Sequence, residues 1–207
     1  GPAAVAASGA PAVDSDYRAA LRTRAFWTLC AAQFLFFPIL STVPLHIVVH
    51  GTDLGLTGTQ AAALVSVIGA ASIAGRLVVG GLSDRIRGRR SYMLCLTPLI
   101  VSLVTLLVID TPWPLFGAMA IYGFGHGGLF TIVSPTIAEY FGLRAHGALF
   151  GTVLFFGALG GSAGPIMAGV IFDLTGSYAV AFSILTGMGT LALALIASLP
   201  RRVAAGA

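Results

Sequence analysis

Lysine is absent from the 207 residues, and charge of either sign is scarce. Lys, Arg, Asp and Glu together make up 9% of the chain, against roughly 25% in an ordinary soluble domain. Hydrophobic residues make up 57%. A soluble fold of this length could not hide so much apolar surface, so lipid must cover much of it. Cysteine is nearly absent too. Cys30 and Cys95 each fall inside an apolar run, where a free thiol behaves as a small hydrophobe. Two such residues form neither a disulfide framework nor a metal-ligand spacing, and no metal or cofactor is expected. The chain begins without methionine, and residues 1–13 lack both the basic start and the long apolar stretch of a signal peptide. It therefore reads as a piece of something longer.

What charge there is gives a formal net of +4. A basic balance can signal nucleic acid, but that needs a solvated basic face. Here every basic residue is an arginine, and nearly all sit at the ends of apolar runs. That pattern belongs to membrane orientation and excludes nucleic acid as a partner. The partner it points to is the lipid bilayer.

The opening segment Gly1 to Val13 is rich in Ala, Gly, Ser and Pro and reads as a flexible linker. Asp14-Ser15-Asp16 is placed to cap a short surface helix running through Arg24. Six apolar stretches follow, at about 26–49, 59–82, 91–110, 114–139, 146–171 and 178–199, here called spans 1 to 6. Each has about the 20 residues that cross ~30 Å of hydrocarbon at 1.5 Å per residue. Within lipid they must be helices, because an open strand would leave its peptide groups unpaired. The expected organisation is a cytoplasmic linker and juxtamembrane segment over 1–24, a six-helix bundle over 25–200 and a short tail over 201–207.

The arginines orient the bundle. Arg18, Arg22 and Arg24 precede span 1; Arg85, Arg87, Arg89 and Arg90 lie between spans 2 and 3; Arg144 lies between spans 4 and 5; Arg201 and Arg202 follow span 6. Six crossings put all of these on one side. The opposite loops contain Asp53, Asp110 and Asp173 and no arginine. Both termini are therefore expected in the cytoplasm. Arg76 alone is left inside a span, eight residues before Asp84 and hence ~12 Å deep. A charge at that depth costs at least ~2.5–3.5 kcal/mol on insertion scales, so it should face a polar cavity or a partner.

The segment from Gly75-Arg76 through Gly80-Gly81-Leu82-Ser83-Asp84-Arg85-Ile86-Arg87-Gly88-Arg89-Arg90 resembles the signature of the major facilitator superfamily, glycine followed by Asp-Arg-x-Gly-Arg-Arg/Lys between the second and third helices of a six-helix half. This copy has one extra residue, Arg87, before Gly88. The stretch from Tyr140-Phe141-Gly142-Leu143-Arg144 through Gly164-Pro165 to Phe172-Asp173-Leu174-Thr175-Gly176-Ser177-Tyr178 resembles the monocarboxylate and oxalate/formate transporters of that superfamily. The resemblance covers about residues 18–202. It implies that spans 1–6 are the carboxy-terminal six helices of a twelve-helix secondary transporter, with a missing amino-terminal half as partner, working by alternating access. A bacterial cytoplasmic membrane is the expected location.

Several residues stand out as candidates. The resemblance gives Arg76 the role of binding substrate carboxylate, which a planar guanidinium suits through paired hydrogen bonds; the alternative is internal neutralisation by an acid of the missing half or by helix carbonyls. A second basic residue that the oxalate/formate group carries in the helix matching span 5 has no counterpart here, which favours a monoanion. The resemblance also makes Asp84, Arg85, Arg89 and Arg90 a gate. The Asp84 carboxylate would there meet the free N–H groups at the start of span 5, near His146 and Gly147, unless the arginines serve only orientation. His126, amid the glycines of span 4, could carry a coupled proton or simply bond a neighbouring helix; the coupling could equally be exchange of one anion for another. Gln33 and Tyr122, with Thr42 and Ser134, are candidate cavity-lining groups, although such residues also tie helices together. His46 lies near the outer end of span 1 and is the weaker histidine candidate. Gly157, Gly160, Gly161, Gly164 and Pro165 read as a packing face of span 5, as do Gly147 and Gly151.

Two rival classes exist. Gly160-Gly161-Ser162-Ala163-Gly164 matches the G-x-S-x-G nucleophile pattern, but that elbow needs a strand-turn-helix setting. In a six-span intramembrane serine protease the histidine follows the serine, and none follows His146. A channel or scaffold is the other rival, and the Asp-Arg-rich loop argues for a carrier over either.

Overall fold

The computed structural model describes residues 16–200. The linker expected over 1–13, Asp14, Ser15, Arg201, Arg202, the rest of the 201–207 tail and the Asp84 side chain lie outside the described residues. Within them the chain is helical: α1 Tyr17–Leu21, α2 Arg24–Asp53, α3 Gly58–Val108, α4 Pro114–Phe141, α5 His146–Thr175 and α6 Ala179–Ala197. The 51-residue α3 has two arms, Gly58–Ser83 and Arg85–Val108, each long and apolar enough to cross a membrane, as are α2, α4, α5 and α6. Among the described residues there are thus six such helices, and α2, the two arms of α3, α4, α5 and α6 are spans 1 to 6.

The extra residue in the loop between spans 2 and 3 is absorbed by the backbone. Arg87 has φ 68° and ψ 160°, a conformation uncommon for a residue with a Cβ. It breaks the helix within the signature and lets the two arms fold back on each other. The arm that forms span 3 runs from Arg85, with the Arg87 break near its start and several residues ahead of the apolar run. The juxtamembrane helix also differs from expectation. It covers only Tyr17–Leu21, and Asp16 makes no side-chain cap. Its carboxylate Oδ1 instead meets Arg144 Nε at 3.2 Å, both side chains well exposed, a geometry that contributes little to stability. Span 1 is capped by Thr23, whose hydroxyl accepts from the Phe26 N–H. Span 2 starts with a full capping box between Thr57 and Gln60.

Proline shapes the packing. Each proline inside a helix lacks an N–H and frees the carbonyl four residues earlier, which in hydrocarbon must find another donor. Pro44 frees Leu40, and the Tyr122 hydroxyl donates to the Ile39 and Leu40 carbonyls at 3.0 and 3.3 Å. Pro165 frees Gly161, and Ser41 Oγ donates to that carbonyl at 2.7 Å. Pro38 frees Phe34, whose carbonyl lies so close to Gly160 that a Cβ there would overlap it. Two of these contacts tie span 1 to span 5, and the Tyr122 contact ties span 4 to span 1.

The most extensive packing is α3 on α4, followed by α2 on α5. Both depend on missing side chains. A Cβ on Gly127 would strike the Ser72 carbonyl, and one on Gly75 would strike the Phe124 carbonyl, so spans 2 and 4 are nearly in backbone contact. Tyr92, Phe36, Phe26 and Leu99 are buried in the core of the bundle. The outside is apolar as well: Leu45, Ile73, Leu77, Val108, Ile166 and Leu174 are each more than half exposed, a surface suited to lipid or another apolar partner. Spans 2 and 5 are the least buried of the six.

Candidate functional site

Arg76 stands exposed on span 2. Its guanidinium carbon lies 5.9 Å from the centre of the Phe130 ring of span 4, within the range of a cation–π contact. Four residues before Phe130, on the same helical face, is His126, with ring centroids 5.2 Å apart. Four residues before Arg76 is Ser72, whose Oγ lies 3.3 Å from His126 Nδ1. Two i, i+4 pairs on adjoining helices thus make one cluster, and the glycine contacts of spans 2 and 4 bring them together. The glycines flanking His126 make room for the span 2 backbone: a Cβ on Gly123 would meet the Ile68 carbonyl, and one on Gly127 the Ser72 carbonyl.

Among the described residues no carboxylate lies within ion-pair distance of Arg76, and no carbonyl accepts from it; the ion pairs found join Arg87 to Glu139 and Arg144 to Asp16. A guanidinium held inside a span against one aromatic face keeps its hydrogen-bonding capacity, among the described residues, for a ligand. Phe130 and Ser72 were not legible as site residues. The available signal was their four-residue spacing from His126 and Arg76.

The other expected site residues fare differently. Tyr122 is fully buried, and its hydroxyl is committed to the carbonyls at Ile39 and Leu40. It supports span 1 and does not line an open cavity, because the proline-freed carbonyl is the stronger claim on its proton. Gln33 is also fully buried, yet neither Nε2 nor Oε1 has a hydrogen-bond partner among the described residues. It lines a chamber of about 260 Å³ with Phe37, Leu129, Phe130, Phe150 and Leu154. Thr42 is buried against Gly164. His46 Nδ1 lies 3.1 Å from the Tyr178 hydroxyl at the opposite end of the bundle, and Ser134 Oγ lies 3.0 Å from His146 Nε2.

At the arginine-rich end, Arg85 and Arg90 are exposed and Arg89 half-buried. The structure adds Glu139, from the last turn of span 4. Its Oε2 accepts the Gly88 N–H at 2.8 Å, and Oε1 is 4.0 Å from Arg87 Nη1. The loop between spans 2 and 3 is thereby tied to span 4 through a carboxylate that hydropathy alone marks only as a span boundary.

In span 5, Gly160 and Gly164 are pressed on the span 1 backbone, and Gly157 and Gly161 face Gln33, Phe37 and Ser41. Gly147 and Gly151 have nothing within 4 Å of an added Cβ, so that part of the expected packing face is open. Ser162 is exposed within the continuous α5 helix, with its hydroxyl donating to the Ala158 carbonyl at 2.8 Å. That is no nucleophile elbow.

Six apolar helices, with an Asp-Arg-rich hairpin between the second and third and a guanidinium inside one span, define the class as a multi-pass helical membrane fold. The chain belongs to the Major Facilitator Superfamily, whose pattern it matches over residues 25–206. It is an all-α, six-helix half of that fold and a multi-pass integral membrane protein. It is 30% identical over 174 residues to Monocarboxylate transporter 7 of Homo sapiens, covering 81% of this chain and 33% of that protein. It is 30% identical over 142 residues to Monocarboxylate transporter 12 of Rattus norvegicus, covering 66% and 29%. It is also 29% identical over 188 residues to the MFS-type transporter opdF of Penicillium oxalicum, covering 87% and 44%. The chain thus spans between about a third and under half of these relatives' lengths. Their names are those of transporters, not enzymes.

Proposed function

We propose that this chain is the carboxy-terminal half of a secondary active transporter that moves a small organic anion, a monocarboxylate, by alternating access. The observation that carries the reading is the exposed Arg76 guanidinium, which stacks on Phe130 and meets no carboxylate among the described residues. A charge kept at this depth is costly unless something uses it, and a carboxylate is its natural complement. Two of the relatives are named monocarboxylate transporters, which agrees with an anion carrying one such group. Spans 2 and 5, the least buried, are the faces that an amino-terminal six-helix half would cover, with the substrate held between the halves near the bilayer middle.

The arginine-rich end is assigned to the cytoplasm by the positive-inside rule, with both termini there and the bundle bounded by residues 25 and 200. At that end Asp84, Arg85, Arg89 and Arg90 form the gate, and the Glu139 contact to Gly88 supports that role by tying the same loop to span 4. His126, hydrogen-bonded to Ser72 beside Arg76, is the group proposed to carry a coupled proton. The arginine bias serves bacterial and eukaryotic membranes alike, and the relatives named above are eukaryotic, so a bacterial membrane gains no support from them.

The test is counterflow of labelled monocarboxylate in proteoliposomes containing the complete transporter. Arg76→Ala should reduce it at least about 100-fold, the equivalent of ~3 kcal/mol for one charge-assisted contact left unmade, while Arg76→Lys retains part of it. Wild-type counterflow in Arg76→Ala would remove this residue from the site. Ohmic, unsaturated flux in the unaltered protein would make it a pore instead.

A further inference from the structure

Gln33 presents an unusual combination. Its side chain is sealed by spans 1, 4 and 5 with no exposure at all, yet both ends of the amide lack a partner among the described residues. Buried polar groups are nearly always hydrogen-bonded. Because this half alone buries Gln33 completely, a residue from another half cannot reach the amide without opening the bundle. The amide is closed even to a water-sized probe, so a small group entering the chamber meets it by displacing a wall side chain.

The chamber has room. Its volume is about 260 Å³, whereas a cavity of roughly 150 Å³ lined by aliphatic and aromatic groups holds a benzene ring. Its lining is apolar apart from Gln33, with Phe37, Phe130, Phe150 and Leu154 among the walls. Phe130 is also the ring beneath the Arg76 guanidinium, and it is 50% exposed. The cation and the chamber therefore share a wall. One molecule can place a carboxylate at Arg76 and an apolar body alongside Phe130, with a hydrogen-bonding group at the far end meeting Gln33.

Resting on the reading of Arg76 as the carboxylate site, we infer that the chamber at Gln33 is a tail subsite and that the substrate is an amphipathic monocarboxylate. Its body is a ring or branched chain, and its distal end carries a hydroxyl, carbonyl or similar group. The Gln33 amide both donates and accepts, so it recognises either kind of group. A short acid such as propionate fills the Arg76 end and leaves the amide unmet.

Uptake of labelled 4-hydroxyphenylacetate, phenylacetate and propionate by the complete transporter in proteoliposomes tests this. In the unaltered protein the order of kcat/KM should be 4-hydroxyphenylacetate, then phenylacetate, then propionate. Gln33→Leu, close in shape but without the amide, should lower the preference for the hydroxylated over the plain ring about tenfold, as expected for one hydrogen bond to a buried group. Leu154→Trp, which fills the chamber, should lower the preference for ring acids over propionate by at least as much, and decides the matter if Gln33→Leu does not insert. Unchanged preferences in both inserted variants would overturn the tail subsite. Arg76→Ala reports separately: retained uptake of all three acids sinks the carboxylate site, whatever the preferences do.

Discussion

Spans 2 and 4 and spans 1 and 5 are joined in the same way and put to different use. In each pair glycines on one helix let a carbonyl of the other come within a distance no Cβ would allow, Gly127 at Ser72 in the first and Gly160 at Phe34 in the second. In the first pair Arg76 is exposed beside a half-buried His126, with Ser72 buried behind them. In the second pair Gln33 is sealed inside. Close backbone packing thus serves as a common support, and the side chains next to it decide whether the result is an exposed cationic face or a recessed apolar chamber. Proline extends the contrast. Span 1 carries two prolines and span 5 one; of the three carbonyls they free, Leu40 is met by Tyr122 and Gly161 by Ser41, whereas span 2, which carries Arg76, has no proline.

The largest effect should come from filling the glycine contacts. Gly127→Leu and Gly160→Leu each place a side chain against a carbonyl that cannot move without breaking a helix, and both are expected to abolish monodisperse protein in size-exclusion chromatography. Normal yield of either would show that the pair is looser than described. Next is Glu139→Ala, which removes the acceptor of the Gly88 N–H and the counter-charge of Arg87. A charge-assisted bond of about 1.5–3 kcal/mol corresponds to a shift of tenfold or more between inward- and outward-open states, read by labelling cysteines placed at each end; Glu139→Gln should shift it less. Unchanged labelling would leave Glu139 without a gating part. Smaller still, Tyr122→Phe and Ser41→Ala each remove one donor to a proline-freed carbonyl, at about 0.5–1.5 kcal/mol in a membrane. Both should lower the thermal unfolding temperature without altering which acids are carried. Gly147→Ala, in open space, should change neither stability nor transport measurably, and a marked loss would mean that this end of span 5 packs on something.

The number of spans was legible because hydropathy and arginine placement respond to lipid directly. Rotation of each helix about its axis was not. In water the apolar stripe of a helix points to the core, but here lipid and core are both apolar, so the pattern around span 1 or span 4 is nearly uniform. Gln33 and Tyr122 therefore looked alike as cavity groups, although the structure gives one an unmet amide and commits the other to a carbonyl. Glu139 was hidden by its place in the last turn of span 4, where a carboxylate reads as an ordinary interfacial charge. Phe130 was one aromatic among 13 phenylalanines, and only its distance from Arg76 distinguishes it. The packing of Gly160 and Gly164 was legible from their spacing, while the same spacing in Gly147 and Gly151 led to no contact, since spacing says nothing about whether a neighbour is present.

The most direct test of the Arg76 assignment is chemical. An arginine-selective dicarbonyl should modify Arg76 in the complete transporter, with the extent at that position read by mass spectrometry. The account predicts that a monocarboxylate slows modification saturably, at concentrations matching its KM for uptake, and that the corresponding neutral amide does not. Modification at one rate whether the acid is present or absent would contradict it.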